Sequence, residues 1–291
     1  MTIQTCPVCH SAMSRGLKSW HLEFGSCGYE KSELKPAINE ALAHEQINEQ
    51  FREEGLRSVR NANFNELLKS IINVLSSPGY NRLLDVGCAH GWFLETAQKK
   101  GFEAHGIEPD RVVYEATAKS GLSIRQGFFP EALEANEQFD VIVVNDVFGH
   151  LPDLTSVLQG CENHLTSRGI LVLNLPSSSG FFYKTARLLS KLGINGFFER
   201  LWQKGLPSPH LHYFNAMNLR ELLRNNGFEE ISNGQLSALK LQGLFARISY
   251  TKEHILPIRL LIFLVVAIAL PLTKMIPSDI IYSVSRKKLS H

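Results

Sequence analysis

Apolar residues follow two different periods along this chain, and the alternation between them sketches a fold. Over 61–75, Phe64, Leu67, Leu68, Ile71, Ile72 and Leu75 recur at three- and four-residue spacing, which predicts a helix ending before Pro78-Gly79. Upstream, 37–60 is polar and charged with apolar residues at Ile38, Ala41, Leu42, Ile47, Phe51 and Leu56, the pattern of a helical linker. The period then changes. Leu83, Leu84 and Val86 form a short apolar run that closes in Asp85, Gly87, Cys88 and Gly91; an amphipathic helix follows, and a second short strand stops at Glu108. A helix from Asp110, a strand at 122–125 and a continuous apolar run at 139–144 ending in Asn145-Asp146 repeat the cycle. Runs apolar at every position predict parallel strands buried on both faces. A helix at 154–165, a turn at Ser167-Arg168-Gly169 and a strand at 170–175 come next, and further on a helix at 218–226, capped by Asn226-Gly227, precedes a strand at 228–231. Strands alternating with helices in this way belong to the α/β class.

Two stretches break the alternation. Residues 176–216 form a long excursion containing Phe181, Phe182, Tyr183, Phe197, Phe198 and Trp202, and it closes with Pro207-Ser-Pro209-His210-Leu-His212-Tyr213-Phe214. An aromatic-rich loop over the carboxyl end of a rigid sheet is the expected place for a lid that selects a substrate. The second stretch, 260–270, is eleven consecutive apolar positions flanked by Pro257, Arg259, Pro271 and Lys274. A spanning helix needs ~20 apolar residues, so this one is short even with its flanks.

The chemistry concentrates at 83–110. Gly87 and Gly91 let the backbone turn sharply and approach a ligand where a Cβ would collide, and an acid at the tip of the second strand can accept both hydroxyls of a ribose. The spacing is not the Gly-x-Gly-x-x-Gly of a dinucleotide site, and Asp85 repels phosphate while suiting a cationic amino-acid ligand. The stretch resembles motif I and the following acid of class I S-adenosylmethionine (SAM) dependent methyltransferases, in the Asp-x-Gly-Cys-x-x-Gly form, with Ala89 where that family often has a third glycine. A helix-capping glycine turn in another α/β fold is the bland alternative. The resemblance implies a Rossmann-like seven-stranded sheet with helices on both faces, closed by an antiparallel last strand for which 279–285 is the candidate. It implies SAM as cofactor, with Asp85, Gly87, Cys88 and Gly91 at the methionine part, Glu108 at the ribose and Phe128 beside the adenine. Asn145 and Asp146, at the carboxyl end of their strand, are expected at the mouth of the site.

The segment Asn145-Asp-Val-Phe-Gly-His150-Leu-Pro-Asp153 is similar to the one after the fourth strand of that family, with Gly149 where a glutamate usually stands. His150 is a candidate base or a structural hydrogen-bonder in the wall of the cofactor site. A hydroxyl acceptor must lose its proton as the methyl is delivered, and His210 and His212 are further candidates, one of which is expected to face the site. That both only tie down the loop is the competing expectation.

Cys6-Pro-Val-Cys9, followed by Trp20-His21 and Cys27-Gly28-Tyr29, looks like a zinc ribbon whose second knuckle is damaged, Phe24 standing where its first cysteine belongs. Cys6, Cys9 and Cys27, with His21 or His10 as fourth ligand, would hold one structural Zn²⁺; a ribbon that has lost its metal and survives by packing is the alternative. The chain divides on this reading into a zinc-ribbon-like unit at 1–35, a helical linker and cofactor cover at 36–78, and a methyltransferase domain at 79–291 carrying a lid at 176–216 and an apolar insertion at 255–277.

If 279–285 return to the sheet, the apolar insertion begins and ends on one side of any membrane, and a single crossing is excluded. It then lies in the interface, re-enters, or buries against protein. Arg247, Lys252, Arg259 and Lys274 suit anionic headgroups, whereas the absence of a polar face speaks against a simple in-plane anchor. A buried helix or a dimer contact is the alternative.

Composition narrows the function little further. A net charge of +2 implies no general attraction for nucleic acid, and five unevenly spaced cysteines argue against a disulfide framework. The amino terminus lacks a basic stretch followed by an apolar one, so the cytoplasm, or the inner face of a membrane, is the expected location. The whole chain resembles methyltransferases found with surface-polysaccharide biosynthesis enzymes, which implies O-methylation of a small-molecule or glycan acceptor, free or lipid-linked. A methyltransferase for a quinone or other lipid, and a non-catalytic scaffold with a partner-docking ribbon, are the competing readings. The sequence gives no oligomeric state.

Overall fold

The computed structural model describes residues 4–23, 26–38, 49–75, 81–239, 241, 244–249, 256–270 and 276–288. It opens with three short antiparallel strands, β1 (Ser14–Arg15), β2 (His21–Glu23) and β3 (Glu30–Ser32). A long helix follows, α1 (Glu49–Val74). The division expected near residue 60 is absent: buried Val59, Phe64, Leu67, Leu68 and Ile71 carry one apolar stripe across it. Ala41, Leu42, Ile47 and Phe24 lie outside the described residues.

Strand–helix cycles then run β4 (Arg82–Val86), α2 (Trp92–Gln98), β5 (Glu103–Glu108), α3 (Arg111–Ala118), β6 (Ser123–Gln126) and β7 (Phe139–Asn145). A 3₁₀ turn (Phe148–His150), α4 (Leu154–His164) and β8 (Leu165–Pro176) follow. The turn expected at 167–169 lies inside β8, where the ladder with β7 shifts between the Phe139–Leu165 and Val141–Ile170 pairs. The excursion folds into α5 (Phe181–Lys191), α6 (Gly196–Leu201) and β9 (His212–Tyr213). After α7 (Ala216–Asn225) comes β10 (Phe228–Leu236), longer than its sequence signal because it is an edge strand that alternates between exposed and covered positions. Among the described residues α8 (Leu244–Ser249) and α9 (Leu256–Ala269) precede the last strand, β11 (Ile280–Lys287).

Among the described residues seven strands form one sheet in the order β10-β11-β8-β7-β4-β5-β6, with β4 to β8 parallel and β11 antiparallel to both its neighbours. This is the expected Rossmann-like sheet with its reversed last strand. Successive residues of the central strands feed opposite faces. Leu84, Val86, Ile142, Val144, Leu171 and Leu173 enter a core with α4 and α7, while Leu83, Val141, Val143, Ile170 and Val172 enter one with α1 and α2. Among the described residues a four-stranded sheet, β1-β2-β3-β9, joins the amino-terminal unit to the excursion.

Candidate functional site

The carboxyl end of β4 meets α2 through a turn in which Gly87 and Gly91 both have φ of 72°. A Cβ on Gly87 would stand 2.7 Å from Val147 Cγ2, so glycine is required there for space as well as for backbone conformation. Ala89 also occupies the left-handed region, at φ 45°, and is held on both sides: its amide donates to Glu108 Oε2 at 2.8 Å and its carbonyl accepts from Thr117 Oγ1 at 3.0 Å. The other oxygen of Glu108 accepts the amide of Asp110 at 2.8 Å. Cys88 points away from the mouth. Its thiol packs into the space left by the missing Cβ of Gly106 on β5, and burial raises its pKa strongly.

The two acids differ in how well they are served. Glu108 is buried and satisfied by amides; burial lifts its pKa, against the pull of those amides. Asp85 is buried with its Oδ1 lacking any hydrogen-bond partner, and burial, reinforced by the charge of Glu108, holds its carboxyl well above the usual range. A buried acceptor with nothing to accept from is costly unless a donor or cation arrives. The turn, its open backbone and this carboxylate therefore fit a cationic amino-acid group better than an anion, and the residues present fit SAM.

The mouth is completed by residues that only the fold brings together. Asn174 on β8 donates to Asn145 Oδ1 at 2.5 Å, and its own Oδ1 is buried without a partner. Its signal was the single polar residue in the apolar run Ile170-Leu-Val-Leu-Asn174-Leu. Asp146, at φ 61°, pairs with Arg60 of α1 at 3.1 Å, and Arg57 of the same helix lies 5.6 Å above the ring of Trp92, on which His90 stacks. Helix α1 thus reaches the carboxyl end of β7 through Arg60 and the ring of Trp92 through Arg57. Phe128 is exposed beside Gly127, whose amide donates to the Glu108 carbonyl.

The three histidines cluster but are not equivalent. His150 donates from Nδ1 to the Pro209 carbonyl at 2.9 Å, since a carbonyl can only accept, and its ring stacks on His210 at 4.2 Å. His212 spends both nitrogens: Nε2 donates to the Leu151 carbonyl at 2.9 Å and Nδ1 takes the hydroxyl of Tyr29. Burial drives its pKa down to about 3. His210 donates from Nδ1 to the Leu201 carbonyl at 2.8 Å; its Nε2 is buried without a partner, and burial, then the neighbouring His150, depress its pKa. With the Leu211 amide on the Gly149 carbonyl at 2.7 Å, these bonds fasten the loop after β7 to the end of the excursion. His212 has no nitrogen left to take a proton from a substrate.

At the other end of β3, the thiols of Cys6, Cys9 and Cys27 converge, Cys27 Sγ standing 3.6 Å from Cys6 Sγ and 3.5 Å from Cys9 Sγ. Such separations approach the ~3.8 Å edge of a tetrahedron built on ~2.3 Å Zn–S bonds. Burial pushes the Cys27 thiol up to about 12, with the adjacent thiols adding to the effect. Among the described residues no fourth ligand joins them. His21 is turned elsewhere, its Nδ1 accepting the Leu17 amide at 3.1 Å and its Nε2 bound to buried Glu30 at 2.7 Å, which also accepts from Tyr183 and Arg187 of α5. His10 likewise lies outside the set.

Residues 45–233, well over half of the chain, match the family model described as a methyltransferase domain. A ubiquinone biosynthesis O-methyltransferase of Actinobacillus pleuropneumoniae serotype 7 (strain AP76) is 34% identical over 101 residues, which is 31% of this chain and 43% of that protein. The chain thus spans less than half the length of the curated relatives it matches. Among solved structures, a SAM-dependent methyltransferase of Thermotoga maritima superposes with a TM-score of 0.55 at 16% identity, over 83% of this chain and 96% of that one. A SAM-dependent methyltransferase of Archaeoglobus fulgidus does so with 0.54 at 16% identity, over 82% and 100%. With the matched sheet order, these findings establish that the chain belongs to the methyltransferase-domain family.

Proposed function

We propose that this chain is a SAM-dependent methyltransferase acting on a hydroxyl oxygen of a saccharide, free or lipid-linked. The observation that carries the cofactor assignment is Asp85, a buried carboxylate at the glycine turn with an unpartnered oxygen. SAM supplies a reactive methyl on a sulfonium. Asp85 and the backbone at Gly87 and Gly91 hold its cationic amino-acid part, and Glu108, fixed by two amides, holds the ribose hydroxyls. The remaining work of the protein is to align the acceptor oxygen with the methyl and to keep water out. A hydroxyl acceptor would have to lose its proton, and His150, whose Nδ1 donates to the Pro209 carbonyl, is the candidate base for it. The thiols of Cys6, Cys9 and Cys27 would supply three of the four ligands of a structural Zn²⁺.

The names of the curated relatives support a second reading, in which the acceptor is the hydroxyl of a quinol. Labelled methyl transfer from SAM into glycan fractions and into quinol lipids separates the two, with Glu108→Ala as the inactive control. Thermal stabilisation by NAD but not by SAM would sink both.

A further inference from the structure

The insertion between β10 and β11 leaves and rejoins the sheet at neighbouring points, since Leu236 and Ile280 are register partners. Its helix α9 is ~21 Å long at ~1.5 Å per residue, and no helix among the described residues is long and apolar enough to cross a membrane. The helix is not apolar toward protein alone. Leu256, Leu260, Leu264 and Ile268, spaced four apart, and Leu261 beside them are each more than half exposed. The adjoining side leans on α8, with Phe263 set edge-on to Phe245 at 6.0 Å, and α8 leans in turn on α1. The polar face that an in-plane helix needs is therefore supplied by the body of the protein, and the aliphatic ridge faces outward.

We infer that this ridge docks on an anionic lipid surface. The charge of the insertion selects that occupant: from 237 to 278 it carries Lys240, Arg247, Lys252, Arg259 and Lys274 against the single acid Glu253. A second copy of the chain would bring the same cationic segment against itself. The insertion is also joined to the lid at its root. Asp279, just before β11, accepts the amides of Tyr183 at 2.8 Å and Phe182 at 3.1 Å at the start of α5, and Phe182 lines a cavity of about 180 Å³ with Leu236, Leu239 and Ile276. Docking through α9 sets that cavity and the lid at the membrane surface.

The test is flotation of the full chain with vesicles of phosphatidylglycerol or of phosphatidylcholine. Co-flotation with the first, weak with the second and reduced by salt, is the expected result. Leu260→Ser/Leu264→Ser should weaken binding more than about tenfold, since each leucine loses a buried aliphatic contact. Lys252→Glu/Lys274→Glu, which leaves the ridge intact, should do so on phosphatidylglycerol and serves if the first variant fails to fold. Thermal stabilisation by SAM, measured on each protein, reports folding and the cofactor reading separately from lipid binding. A wild-type chain that stays with neither vesicle, or a dimer in sedimentation that the leucine variant dissociates, would overturn the inference, and equal binding to both vesicles would overturn its anionic part.

Discussion

Glu108 at the tip of β5 holds the amide of Ala89 at 2.8 Å, across the glycine turn that follows β4. One carboxylate thereby fixes the left-handed residue at the centre of the turn and the start of α3, through Asp110, before any ligand is present. Glu108→Gln leaves one of these two amides facing an NH₂ group. The expected loss is about 1–3 kcal/mol of stability in urea denaturation, together with a fall in SAM affinity of roughly 10- to 100-fold by calorimetry.

Asp85 predicts a pH dependence of binding. Its folded pKa is raised by burial, so at low pH it is protonated and neutral in the ligand-free protein. A cationic ligand binds the ionised form, and SAM affinity should therefore rise as pH rises through the elevated pKa and level off above it. Asp85→Asn should abolish that slope and weaken binding while leaving stability unchanged or higher, because a buried unpaired carboxylate is removed. A pH-independent wild-type affinity between acid and neutral conditions would rule this out.

His212 predicts a pH dependence of stability. Its folded pKa of about 3 lies below the ordinary 6.5, so the unfolded chain binds the proton first. Its contribution is complete above pH 6.5 and is lost as pH falls toward 3. The slope per proton is ~1.4 kcal/mol per pH unit. Buried Asp85 and Glu108 contribute with the opposite sign, so the informative quantity is a difference: His212→Gln should have a shallower acid decline than the wild type by about one proton.

The thiol cluster predicts metal content. Zinc near one equivalent is expected by elemental analysis, with affinity rising as pH rises because the thiols must lose protons to bind it. Cys27→Ser should lower both zinc content and melting temperature. The Cys27 carbonyl accepts the side-chain amide of Asn218 at 3.1 Å, and Tyr29, two residues on, bonds His212, so the same variant should disturb the loop after β7. A stoichiometry near zero in the wild type would reduce the cluster to packing.

Arg60 predicts a kinetic effect. Its pairing with Asp146 is largely solvent-exposed, so Arg60→Ala should change stability by less than about 1 kcal/mol. Because Arg60 ties α1 to Asp146 at the carboxyl end of β7, ligand release measured by stopped flow should be faster.

The glycine turn and its acids were legible because their signal is local: a few residues of backbone permission and charge within one strand–turn–helix–strand. The parallel sheet was legible for a similar reason, since Val141 to Val144 are apolar at every position. What escaped the sequence is non-local. β9 is two residues long and acquires its partner, β3, from a segment far upstream. His210 and His212 read as catalytic candidates because nothing in their neighbourhood announces the carbonyls of Leu201 and Leu151 that engage them. Asn174 could have been found as a polar break in a buried strand; Asp279, Thr117 and Arg60 had no such mark.

The register pairing of Leu236 with Ile280 means that everything between them is, topologically, the loop of one β-hairpin. Hairpin stems tolerate long loops, because closure entropy grows only as the logarithm of length. The apolar helix is thus an exchangeable cassette. Replacing 256–275 with a short polar linker, while keeping α8 on α1 and Asp279 as the cap of α5, should leave the sheet intact. The same two stems could receive a foreign loop, so where this fold works in a cell could be reset without altering the chemistry at the other strands.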